Sequence, residues 1–226
     1  MEDSTLRPQH AVSLPSWFPG RMTGRELRRR FWHMSPGLLP FILQLVSHRD
    51  PVSPTLRWII VAVATGLALR IFLGFRRIQR PEERNGLAAV AGYALSVMAM
   101  VLLFPQHLEL GLALLAILAF GDGSATLFGL LIGGPRLPWN ANKSWSGLAA
   151  FVLVGCAMAG WIYWGESWNA EGIDPPVTFG MALQLVAPAV VTAAICESIN
   201  SRINDNIRVG VVGAVVLMLT HFYRPM

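Results

Sequence analysis

The stretch Glu109-Leu-Gly-Leu-Ala-Leu-Leu-Ala-Ile-Leu-Ala-Phe-Gly-Asp-Gly-Ser-Ala-Thr-Leu-Phe-Gly-Leu-Leu131 decides how this chain is read. It is long and apolar enough to cross a bilayer, which takes about 20 such residues. Yet it carries an aspartate, Asp122, between two glycines, well inside the apolar run. An ionisable group at that depth is costly and marks function before structure. Irregular backbone there is tolerated only where it is buried or lines a cavity.

Working outward, the rest of the chain repeats the apolar pattern. Of 226 residues, 54% are hydrophobic and 14% charged, with a mean hydropathy of +0.49. Soluble domains carry about 25% charged residues. The composition excludes a disordered chain, a disulfide-stapled secreted domain and a conventional soluble enzyme. Cys156 and Cys196 lie far apart in apolar segments and form neither a disulfide framework nor a metal pair. The first thirty residues contain no apolar run of the signal-peptide type, so no cleavable leader is expected.

Seven apolar segments are expected as membrane helices: Phe31–Ser47, Thr55–Phe75, Gly86–Phe104, Glu109–Leu131, Gly147–Trp164, Val177–Cys196 and Ile207–Tyr223. The first is interrupted by Pro36, Gly37 and Pro40, which bend or break a helix. With the N-terminus in the cytoplasm, fourteen basic residues fall on the inner side, among them Arg25, Arg28, Arg76, Arg77, Arg136 and Arg202. Only Arg49, Arg57 and Arg224 fall outside. This is the positive-inside pattern, and it accounts for the formal charge of +5 without a nucleic-acid partner. The expected architecture is an all-α integral membrane protein of about seven transmembrane helices, N-terminus cytoplasmic. Residues 1–30 form a basic cytoplasmic tail and residues 31–226 a single polytopic domain.

Four polar clusters gather at the inner face. In Glu26-Leu-Arg-Arg-Arg-Phe-Trp-His33, helical spacing puts Glu26, Arg29, Arg30 and His33 on one face, either a lipid-anchoring stop or a phosphate clamp. Gly121-Asp122-Gly123 offers a carboxylate for Mg²⁺ or a buried packing motif. Gly133–Gly147 is read as a loop that sets Lys143 and Ser144 before a helix N-terminus. It could bind phosphate or be an ordinary capped turn, and it is not a Walker A loop. Glu197, Asp205 and Asn206, between the last two segments, supply hard oxygen ligands or a polar hairpin. Phosphate-binding cations, a hard metal and a carboxylate base are the equipment of phosphoryl transfer. His10, His48, His107 and His221 are scattered without ligand spacing, so no metal is expected at them.

The order Glu26-x-x-Arg-Arg-x-x-His33, Gly121-Asp-Gly, Leu137-Pro-x-Asn-x-x-Lys-Ser-x-x-Gly147, Glu197-Ser and Asp205-Asn206 resembles the CTP-dependent lipid kinases. That family includes dolichol kinase, phytol kinase and the CTP-using diacylglycerol kinase; the phytol kinase branch looks most similar. The resemblance implies transfer of the CTP γ-phosphoryl group to a membrane lipid alcohol of the phytol, dolichol or polyprenol class, with Mg²⁺ or another divalent cation, at the cytoplasmic face. It implies catalytic roles for Asp122, Lys143 and Glu197, and metal ligation by Asp122, Glu197 and Asp205. Nucleotide and phosphate contacts then fall to Arg29, Arg30, His33, Gly121, Gly123, Gly129, Ser144, Gly147 and Asn206. The implied partners are the lipid alcohol, the nucleotide and the bilayer. The chain departs from the family pattern at Ser124-Ala125-Thr126, where a second acidic residue is usual, at Leu130-Leu131 in place of Arg-Arg, and at Leu148 in place of serine. The alternatives are a phosphatidate cytidylyltransferase-like enzyme and a transporter or non-catalytic membrane protein.

Overall fold

The computed structural model describes residues 24–46, 48–78, 86–169 and 174–223. The N-terminal tail to residue 23 and most of the basic loop after Arg77 lie outside the described residues. The chain runs through α1 (Gly24–Met34), a 3₁₀ turn (Ser35–Leu38), α2 (Leu39–Leu43), α3 (Pro54–Ile78), α4 (Gly86–Leu103), α5 (Leu108–Ala116), a π turn (Ile117–Gly121) and α6 (Asp122–Leu131). A two-stranded hairpin, β1 (Arg136–Leu137) and β2 (Asn140–Ser144), leads into α7 (Trp145–Ser167), α8 (Phe179–Ser198) and α9 (Asp205–Phe222). The protein is an all-α, multi-pass membrane protein. Among the described residues, five helical stretches are long and apolar enough to span, and Val90–Leu103 is a shorter sixth.

The central element is the α5–π–α6 rod. Every residue from Leu108 to Ala125 is buried, walled by α4, α7, α8, α9 and the broken N-terminal segment. The break expected around Asp122 is confined to one π turn, and the helix axis continues through it. α3 sits at the periphery, with none of its spanning window buried inside the bundle. It is held by α4 and by Arg70, whose guanidinium lies 5.3 Å from the Trp32 ring centroid.

The first segment breaks where Pro36 and Pro40 remove helical donors. It nevertheless crosses the bundle. Its N-terminal part reaches Asp122 through His33, at 3.1 Å. Its C-terminal end is tied to α7, where Gln44 Nε2 donates to Ile162 O at 3.0 Å. Gly37 permits this course: a Cβ there would stand 2.6 Å from Ala119 Cβ and from the Phe120 ring. The helix begins earlier than expected, at Gly24, so the arginines from 28 to 30 are helical. The stretch read as a loop before Gly147 instead contains the β hairpin.

Candidate active site

A cavity of about 280 Å³ opens between α1, α3, α4, α6 and the start of α9. Its lining combines ionic and polar groups, Arg29, Arg30, His33, Asp122, Lys143 and Asp205 with Asn204 and Asn206, with apolar ones, Leu39, Ala64, Leu67, Ala68, Ile71, Val90, Ala94, Val97 and Leu115. Thus α3, the peripheral helix, supplies part of the apolar lining.

Asp122 opens α6 immediately after the π turn and is buried. His33 Nε2 stands 3.1 Å from Asp122 Oδ2 and 3.0 Å from Leu118 O. A carbonyl only accepts, so Nε2 carries the proton and the neighbouring carboxylate shares it. Leu118 belongs to the π turn, the kind of helix irregularity that recurs at functional sites. The flanking glycines are approach points. A Cβ on Gly121 would come within 2.8 Å of Phe151, and one on Gly123 within 2.4 Å of Met34 Cγ. They admit α7 on one side and α1 on the other, and so set His33 against Asp122.

Lys143 projects from β2, just ahead of α7. Its Nζ donates to Glu197 Oε1 and lies 3.7 Å from Asp205 Oδ2. Burial alone would lower the lysine pKa, but the charges of Glu197 and Asp122 outweigh it and hold it above the ordinary value. The hairpin is clamped to the end of α8, where Trp139 Nε1 donates to Ser198 Oγ at 3.0 Å and Asn140 Nδ2 to Ser198 O at 2.9 Å. This explains the Leu-Pro-x-Asn-x-x-Lys spacing physically: the asparagine fixes the strand that carries the lysine.

The structure sorts the expected site residues. Arg29, Arg30, His33, Asp122, Lys143, Asp205 and Asn206 converge on the cavity. Glu197 is buried behind Lys143 and is not among the cavity-lining residues, although direct metal or catalytic contact was expected of it. Ser144 Oγ caps α7 by accepting from Gly147 N at 3.2 Å. Its oxygen is engaged in that cap rather than aimed at the cavity. Gly129 and Gly147 serve the α6–α7 contact: a Cβ on Gly147 would stand 2.7 Å from Ala125 O. Gly121 and Gly123 likewise pack rather than line the space. The Glu26 side chain lies outside the described residues.

Sequence reasoning missed several groups. Asn204 caps α9 and lines the cavity, as does Thr126, one of the departure positions. Tyr93 also lines it, with a buried hydroxyl that makes no hydrogen bond among the described residues and a ring 5.4 Å from that of His33. Arg208 donates to Cys196 O at 2.7 Å, to Ile199 O at 3.0 Å and to Asp205, and so ties α8 to α9. Its spacing of one helical turn from Asp205 was a legible signal.

The chain resembles curated plant proteins. It is 30% identical over 207 residues to a probable chloroplastic phytol kinase 2 of Oryza sativa subsp. japonica, covering 85% of this chain and 65% of the relative. It is 24% identical over 201 residues to a probable chloroplastic phytol kinase 2 of Glycine max, covering 88% and 67%. It is 27% identical over 137 residues to the chloroplastic farnesol kinase of Arabidopsis thaliana, covering 59% and 43%. The chain therefore spans about two thirds of the first two relatives and less than half of the third. No protein-family model and no solved structure matches it. By motif order and by these likenesses, the chain is similar to phytol kinase-like lipid kinases.

Proposed function

We propose that the protein is a CTP-dependent kinase for a prenyl alcohol, acting at the cytoplasmic face of its membrane. The observation that carries this reading is one cavity lined both by cations and carboxylates and by apolar side chains of α3, α4 and α5. A long-chain alcohol lies along Ala64, Leu67, Ala68 and Ile71 with its hydroxyl toward Asp122. The nucleotide enters from the aqueous side, its phosphates facing Arg29, Arg30 and Lys143. Similarity to proteins named phytol kinase and farnesol kinase supports the acceptor class. CTP as donor rests on the motif resemblance, and the cytoplasmic face on the basic-residue pattern.

In the reaction the alcohol oxygen forms a bond to the γ-phosphorus. The bond from that phosphorus to the β,γ-bridging oxygen breaks, and CDP leaves. Asp122 accepts the alcohol proton. His33 holds the carboxylate in place, and the Tyr93 hydroxyl is available to the alcohol oxygen. Lys143 neutralises charge on the leaving diphosphate. Glu197 acts through Lys143, as its positioning residue. Asp122, Asp205 and Asn206 all line the cavity and would offer hard oxygens to Mg²⁺, which takes few protein ligands and keeps phosphate or water on its other positions. When bound, the ion supplies charge neutralisation to the phosphates.

The test uses purified protein with γ-labelled CTP or ATP, Mg²⁺, and phytol, farnesol, a polyprenol or diacylglycerol. Label in a prenyl monophosphate, with CDP released from CTP, is expected. Pyrophosphate release indicates cytidylyl transfer and overturns the reading, and transfer from ATP alone overturns the nucleotide assignment. No transfer to any acceptor by folded protein overturns the kinase.

A further inference from the structure

We propose a second, structural metal site at the end of the bundle opposite Lys143, taking a tetrahedral divalent ion of the zinc class. Its ligands are His107 Nδ1, Glu109 Oε1, Asp174 Oδ2 and His221 Nε2. They come from the α5 N-cap, the first turn of α5, the segment before α8 and the last turn of α9.

The argument begins with the donor spacing. His107 Nδ1 lies 3.3 Å from Glu109 Oε1, 3.2 Å from Asp174 Oδ2 and 3.2 Å from His221 Nε2. His221 Nε2 lies 3.4 Å from Asp174 Oδ2. All four donor atoms fall within 4.8 Å of one another. Ligands about 2.0–2.1 Å from a tetrahedral ion stand about 3.3 Å apart. Four of the six edges already have that length.

A second observation concerns orientation. The buried Tyr163 hydroxyl is 2.7 Å from His221 Nδ1. With Nδ1–H donating to it, the Nε2 lone pair faces the cluster, which is the outer-shell arrangement typical of metal-bound histidine. A third concerns Glu109, which is 7% exposed and whose Oε1 faces His107 Nδ1 at 3.3 Å and His221 Nδ1 at 3.7 Å without a well-aligned hydrogen bond among the described residues. Two carboxylates and two neutral imidazoles around a divalent ion sum to zero charge. A void of about 10 Å³ touches Glu109, Tyr163 and Asp174, and the Asp174 side chain, 28% exposed, leaves an entry path. Two imidazoles among four ligands favour zinc over Mg²⁺ or Ca²⁺. Four protein ligands close the site, so its role is to pin the two loops to α9.

This inference is independent of the kinase reading, and its test does not use activity. Tag-free protein is stripped with chelator and titrated with Zn²⁺ by calorimetry, with Mg²⁺ and Ca²⁺ as controls, and bound metal is counted by elemental analysis. One Zn²⁺ per chain is expected, with the thermal midpoint raised by Zn²⁺ and lowered by chelator. Co²⁺ in its place should show the intense visible bands of tetrahedral coordination. His221→Ala and, for a milder change in a loop, Asp174→Asn should each weaken binding at least tenfold. A purely hydrogen-bonded cluster is the competing state. Zn²⁺ binding no tighter in the parent than in Asp174→Asn, or Co²⁺ spectra of octahedral type, overturns the site.

Discussion

His33 on α1 and Asp122 on α6 meet at 3.1 Å, 89 positions apart in the chain, because Gly123 lets Met34 press against the rod between them. The pair joins the broken N-terminal segment to the π turn, and both residues line the cavity.

Gly123→Ala places a methyl 2.4 Å from Met34 Cγ. The expected outcome is a fall in kcat of at least tenfold with the helical circular dichroism unchanged, since Met34 and the adjacent His33 must shift. Met34→Ala in the same chain makes room for the methyl and should restore most of the loss. Failure of the second change to restore activity would show that the contact does not set the pair.

Lys143→Met removes the partner of a buried carboxylate. Leaving such a charge unpaired costs about 3 kcal/mol. Denaturant or thermal unfolding should therefore show a large loss. Adding Glu197→Gln should recover stability but not phosphoryl transfer. Recovery of activity with stability would remove Lys143 from the proposed chemistry.

Ala68→Trp fills the apolar wall contributed by α3. Initial-rate kinetics should show KM for the alcohol raised tenfold or more and KM for the nucleotide within twofold. An equal rise in both would mean that the two substrates do not occupy separate parts of the cavity.

His48, in the loop before α3, donates from Nε2 to Glu166 Oε1 at 2.6 Å and from Nδ1 to Val46 O at 2.9 Å. Chiefly through Glu166, its pKa is raised to about 9 from 6.5. A raised folded-state pKa stabilises fully below the unfolded value and loses that contribution as pH rises through the folded one. The parent should therefore lose on the order of 2 kcal/mol, relative to His48→Gln, between about pH 6.5 and 9. Parallel thermal-unfolding profiles for the two proteins across that window would contradict the pairing.

Much of the architecture is legible in the chain. The apolar runs must leave water whatever their neighbours are, so α3, α5–α6, α7, α8 and α9 follow from hydropathy and length. Pro36 and Pro40 act on their own backbone, so the interruption in the first segment was legible as well. The polar motifs also announced themselves, since a bilayer makes every ionisable group conspicuous.

What spacing does not carry is which of those groups share a space. Ser144 and Gly147 look like a phosphate loop in one dimension and prove to be a cap and a packing contact in three. Glu197 looks like a ligand until Lys143, 54 positions away, is found against it. His107 and His221 read as unrelated residues because 114 positions separate them, yet the ends of α5 and α9 bring their rings to 3.2 Å. Helical periodicity reports neighbours one turn apart and nothing further. Contacts between loops and helix ends depend on how the rods pack, and that is set by small residues such as Gly37, Gly123 and Gly147 whose role appears only when a partner stands against them.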